Sequence, residues 1–111
     1  MKNKLVELLI EALTSETSTN PMTQIEYPFV VGEKYFFRTV TYFATGRVKR
    51  ITGTFLELED AAWVADTGRF RDAIMKGTLS EVEPVEVPMF VNMQSITDAF
   101  VWSHELPRTQ K

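Results

Sequence analysis

The residues with most to offer chemically lie in the middle of the chain. Arg38, Arg47, Lys49 and Arg50, with Arg69 and Arg71 further on, share one stretch with Tyr35, Phe36, Tyr42, Phe43 and Trp63. Guanidinium groups bind phosphates or carboxylates bidentately, and aromatic rings stack on bases. The mixture therefore suits a nucleotide-like or single-stranded nucleic-acid ligand, with Arg38, Arg47, Arg50, Trp63 and Arg69 as the candidate binding residues. Glu57, Glu59 and Asp60 stand in the adjoining run, so cross-strand ion pairs over an apolar core are the competing use of the same cations. Arg38 sits inside an otherwise apolar run, where a guanidinium is costly unless paired, so it must face a carboxylate or a ligand.

Catalytic chemistry has weaker footing. Histidine occurs once, at His104 beside Glu105, near the end of the sequence. Ser95, Asp98 and His104 supply the residue types of a triad, but no nucleophile-elbow motif surrounds any serine. Cysteine is absent, which excludes a thiolate nucleophile, a thiolate metal site and a disulfide framework. Asp60, Asp66 and Asp72 are oxygen donors for a hard cation, yet their spacing is not that of an EF-hand loop. They read more simply as turn and helix-end carboxylates. No P-loop or dinucleotide fingerprint occurs. The expectation is a non-enzyme with no catalytic residue, no metal and no cofactor.

These side chains must be carried by strands. Lys34 to Phe43 alternates Tyr35, Phe37, Thr39, Thr41 and Phe43 with Phe36, Arg38, Val40 and Tyr42, which predicts a first strand. Ala44-Thr45-Gly46 reads as a break and Arg47 to Ile51 as the second strand. Thr52-Gly53 turns the chain into a third strand, with Leu56 and Leu58 inward and Phe55 and Glu57 outward. Residues 59–65 continue extended, Asp66-Thr67-Gly68 turns, and 69–76 reads as a short helix with Phe70, Ala73 and Ile74 on one face and Gly77 as its C-cap. Glu81 to Val87 is an edge strand interrupted by Pro84. Met89–Met93 and Ile96–Trp102 are the last two strands, the latter with Ile96, Asp98, Phe100 and Trp102 on one face. Residues 103–111 form a polar, extended tail, and Ile25 to Val31 a short edge strand limited by Pro28.

Upstream, residues 2–13 place Leu5, Leu8, Leu9, Ala12 and Leu13 at helical spacing, which predicts an amphipathic helix. Residues 14–24 are Ser/Thr-rich and read as a linker. The chain thus divides into helix 1–13, linker 14–24, a β domain 25–102 with its helical insertion, and tail 103–111.

Composition narrows the classes further. With 111 residues, 44% of them hydrophobic and 24% charged, the chain suits one globular domain. Net charge is −3, against the strongly basic balance of a typical nucleic-acid binder. No apolar run approaches the roughly 20 residues that cross a bilayer, and LVELLI is interrupted by Glu7 and lacks a cleavage site. The expected location is the cytoplasm, without membrane contact.

An N-terminal helix followed by short, bent strands resembles the Sm-like family. Thr54-Phe55-Leu56-Glu57-Leu58-Glu59-Asp60 is similar to that family's third strand, with Asp60 where its acidic residue stands. Val64 stands where the family places an RNA-contacting Asn, and Val91-Asn92-Met93-Gln94-Ser95-Ile96 where it has an Ile-Arg-Gly turn. The insertion 66–77 is foreign to a minimal Sm barrel. RTVTYFATGRV and FLELEDAAWVADTGRF also resemble a group of small proteins of phages and bacterial mobile elements. The resemblance implies a mainly β fold with short helices: a five-to-six-stranded small barrel, Sm/SH3-like, with an N-terminal amphipathic helix and a short inserted helix. It also implies a homo-oligomeric ring formed by edge-strand pairing. The functional expectation is an oligomeric binding module with an Arg/aromatic site between subunits. The alternative is a structural or interaction protein, a phage particle component or host-factor binder, whose partner is a host or phage protein.

Overall fold

The computed structural model describes residues 26–111. The helix expected over residues 2–13, the linker 14–24 and Ile25 lie outside the described residues. Six antiparallel strands make one open sheet: β1 (Lys34–Thr39), β2 (Phe43–Thr52), β3 (Phe55–Asp66), β4 (Glu81–Pro84), β5 (Met89–Asn92) and β6 (Ile96–Val101). The order is β4-β3-β2-β1-β6, with β5 pairing the first half of β3 and β4 the second half. One helix, α1 (Phe70–Lys76), joins β3 to β4, and a 3-10 turn at Met93–Ser95 joins β5 to β6. The sheet is mainly β as expected, but no ladder joins β5 to β6 among the described residues, so it remains open.

The first two strands differ from the sequence expectation. Lys34 to Phe43 is not continuous, because the chain turns at Val40 and Thr41, which leaves Val40 92% exposed. The turn carries no Gly, Asn or Pro. Thr39 makes it: its Oγ1 accepts from the Thr41 and Tyr42 amides at 3.3 and 3.1 Å and donates to the Tyr42 carbonyl at 3.0 Å. Ala44-Thr45-Gly46 is correspondingly no break but the buried run near the start of β2. Gly46 is there because β2 crosses β3 closely. A Cβ at this position would lie 3.1 Å from the Leu58 Cβ and 3.4 Å from the Ala61 Cβ.

The sheet is packed on both faces. On one, Tyr35, Phe37, Val48, Leu56, Leu58, Ala61 and Val91 are buried together, with Phe29, Met93, Ile96 and Ala99 against them. On the other, Phe36, Ala62, Val64, Val82 and Trp102 pack with Ala73 of α1, Leu79 and Leu106. Alternation along β1 sends Phe36 to one core and Phe37 to the other, and both are fully buried. This double burial explains why neither face of β1 reads as polar in the sequence.

Further departures have local causes. Ile96 does not share a face with Phe100 and Trp102, because the β1–β6 register shifts by a bulge after Arg38, sending Ile96 to the first core. Residues 26–31 form no strand, with Pro28 at their centre. The tail 103–111 is not a solvated extension. Leu106 is buried, the Lys111 amide and carbonyl pair with Val82, and Arg108 reaches Asp60 at 2.8 Å. Helix α1 ends as expected at Gly77, whose φ of 75° suits the left-handed cap.

Candidate binding site

The expected Arg/aromatic residues reach different places. Arg38 lies opposite Asp98 in the β1–β6 register and forms a two-pronged ion pair with it, Nε donating to Oδ1 at 2.7 Å and Nη2 to Oδ2. Its guanidinium also sits 5.9 Å from the centre of the Phe70 ring. The Asp98 hydrogen bonds, then its charge, raise the Arg38 pKa above its ordinary value. The requirement that Arg38 face a carboxylate or a ligand is met by a carboxylate.

Arg47 donates to Asp60 Oδ2 at 3.2 Å, and Arg108 takes the other oxygen of the same carboxylate. Asp60 is also the one non-glycine residue with positive φ among the described residues, at 51°, where β3 bends between its two partners. Lys49 and Arg50 approach Glu57 at 3.8 and 3.9 Å. The β2–β3 cations thus serve cross-strand pairing. These are surface pairs, each worth at most about 1 kcal/mol.

Arg69 is the exposed residue preceding α1, and neither it nor Arg71 makes an ion pair among the described residues. Trp63 stands opposite Ala44 on one side and Glu83 on the other. Its neighbours Ala61, Ala62 and Val64 are buried, yet Trp63 is 50% exposed. Its indole stacks on Tyr42 with centroids 5.5 Å apart and planes at 24°. Together they border a shallow cleft of about 320 Å³ that Thr39, Val40, Phe43 and Ala65 also line.

Tyr42, an element of this cleft, was outside the five candidates. Its role follows from the hairpin at Val40-Thr41, which strand alternation could not reveal. Of the five candidates, then, Arg38, Arg47 and Arg50 are engaged by carboxylates, while Trp63 and Arg69 present exposed side chains around the end of β3.

The residues with triad chemistry are each engaged with other partners. Ser95 Oγ donates to the Asn92 carbonyl at 2.7 Å, Asp98 holds Arg38, and the His104 ring Nε2 lies 2.8 Å from the Ile74 carbonyl at the end of α1. His104 itself is half-buried against Trp102. Asp60, Asp66 and Asp72 do not converge either. Asp66 caps its own turn through the Gly68 amide, and Asp72 approaches Lys76 at 3.9 Å. Among the described residues no group of three or more acidic or imidazole side chains is placed to hold a metal. Nor is any described helix long and apolar enough to cross a membrane.

No protein-family model matches the chain, and no curated protein matches it.

Proposed function

We propose that the protein is a non-enzymatic binding module in which the Trp63–Tyr42 platform receives a planar, nucleotide-like ligand or single-stranded nucleic acid. The observation that carries this reading is the exposure of Trp63. Burying a tryptophan is among the largest apolar gains a small domain can make, and this chain instead leaves one half open on an aromatic partner. A stacked ring pair beside a shallow cleft offers a base the contact that single-strand binders use. Arg69, four residues beyond Ala65 at the cleft, supplies a cation for an attached phosphate.

Assembly belongs to the same proposal. The sheet would act as a small Sm/SH3-like barrel, since β5 and β6 are linked by a single 3-10 turn and pair with β3 and β1 respectively. The outer edges of β5 and β6 are unpaired among the described residues. Such edges invite pairing with a second copy into a homo-oligomeric ring. A phage or mobile-element origin and a cytoplasmic location would accompany this role.

Trp63 fluorescence tests the ligand reading. Titration with an oligodeoxythymidylate and with nucleoside monophosphates should give saturable quenching in the wild type and none in Trp63→Ala. Absence of quenching at millimolar ligand, or its persistence in Trp63→Ala, would overturn the site. Native mass spectrometry reports the subunit count, and a monomer at every concentration would remove the ring.

A protein-interaction role is favoured by one separate observation. Phe55 and Phe90 are both exposed, and the β3–β5 register puts them on the same face, beside the free edge of β5. Paired exposed aromatics next to an open edge suit a protein partner of host or phage as well as a second copy.

A further inference from the structure

We infer that the apolar groove beside β6 is the seat of residues 5–13 of the same chain. The groove has a volume of about 640 Å³, and Tyr27, Phe29, Met93, Ile96, Ala99 and Val101 line it. It opens next to the edge of β6 that no described strand pairs. Val101 is 68% exposed there, and Phe29, Ile96 and Ala99 pack only partly against the first core. The opposite face of the sheet has its cover in α1 and the tail. This face has an open groove of the size that holds a row of aliphatic side chains.

The sequence supplies a fitting occupant. Leu5, Leu8, Leu9, Ala12 and Leu13 fall at i, i+3, i+4, i+7 and i+8, one apolar stripe of a helix too short to persist without burying it. The point of entry agrees. The described chain begins at Glu26, and the very next residue, Tyr27, already lines the groove, its hydroxyl donating to the Gly53 carbonyl at 3.2 Å.

A stretch as long as residues 14–26 reaches at most about 45 Å when fully extended. A linker of that length holds the stripe near the groove at an effective concentration in the millimolar range, well above what a second molecule offers at ordinary protein concentrations. Lys2, Lys4, Glu7 and Glu11 fall away from the stripe and stay toward water in this arrangement. The inference does not depend on the Trp63 ligand, since the cleft at Trp63 shares no lining residue with this groove.

The absence of cysteine makes a cross-linking test direct. In the full chain, Leu9→Cys combined with Val101→Cys should form a disulfide within one monomer under mild oxidation. Glu7→Cys with Val101→Cys, which puts the thiol on the polar face, should not. A disulfide-linked dimer from the first pair would overturn the same-chain assignment and give the groove to a second copy. Equal yields from the two pairs, or none from either, would overturn the seat itself. Hydrogen exchange gives an independent reading that needs no cysteine. Leu9→Asp should speed exchange of the amides of residues 97–101 by about tenfold while leaving the β2–β3 amides unchanged, the mark of a local opening. Unchanged exchange over residues 97–101 would equally overturn it.

Discussion

The two tryptophans of this chain sit in opposite circumstances. Trp102, just past β6, is 1% exposed: its indole N–H donates to the Glu105 carbonyl, its ring stacks on Phe36, and His104 meets its edge. Trp63, in the last third of β3, is half open and touches one aromatic partner. Around Trp102 every nearby element contributes: α1, β4 and the tail close over it, with Leu106 sealing the layer. Around Trp63 no element of the described residues closes. The contrast separates a region whose aromatics hold the fold from one whose aromatics are available.

If that separation is right, substitutions should fall out in the same order. Trp102→Ala removes the largest buried side chain, and the site has little room to collapse. Its expected cost is about 3–5 kcal/mol, enough to unfold much of the protein, read as a loss of the urea transition midpoint. Gly77→Ala tests the same region without touching the core. A side chain there would have to adopt φ near 75° and would put its Cβ 2.6 Å from the His104 Cγ, so about 2–3 kcal/mol should be lost in the same titration. A cost under about 0.5 kcal/mol would show that the tail is not clamped to α1.

How much of this was legible in the sequence depends on where the determining contacts lie. The β3 alternation of Phe55, Leu56, Glu57 and Leu58 could be read directly, because one face meets the core and the other meets water. Helix α1 and its Gly77 cap were equally plain. The β1–β2 hairpin was not, since a threonine side chain makes its turn and no turn residue marks it. The buried Gly46 looked like a break because its reason, Leu58 at van der Waals limit, lies twelve residues away. The tail looked solvated because Leu106 is its only large apolar residue, and its main tie is a backbone pair with Val82.

The candidate site was half legible. Composition singled out Trp63 and Arg69. It could not say that Asp98 takes Arg38, or that Asp60 serves both Arg47 and Arg108, since those pairings depend on strand register. Arg38 also sets no pH limit in ordinary buffers. Its folded pKa is raised, so the stability it contributes is present below the unfolded value and is lost only as pH rises through the still higher folded one.

Thr45 refines the picture of the closed region. It is fully buried between Phe36 and Ala62 in register, and its hydroxyl has no hydrogen-bond partner among the described residues. Thr45→Val should therefore raise stability by about 1 kcal/mol, seen as a higher Tm. A drop of similar size would mean that the hydroxyl is satisfied after all and that this layer is less dry than its apolar surroundings suggest.

Trp63→Ala should have the smallest effect on stability and the most specific effect on behaviour. The ring is half in water already, and its loss leaves Ala61, Ala62 and Val64 in place, so the change in unfolding free energy should stay within about 0.5 kcal/mol. The emission that remains, from buried Trp102, should be blue-shifted relative to the wild type, and quenching by acrylamide should fall to a small fraction of its former value. If Trp63→Ala instead cost as much as Trp102→Ala, the Tyr42 stack would be a structural clamp on the β1–β2 hairpin rather than an open platform. The two regions would then differ only in how much water they meet, and the ligand site would have to be sought away from the end of β3.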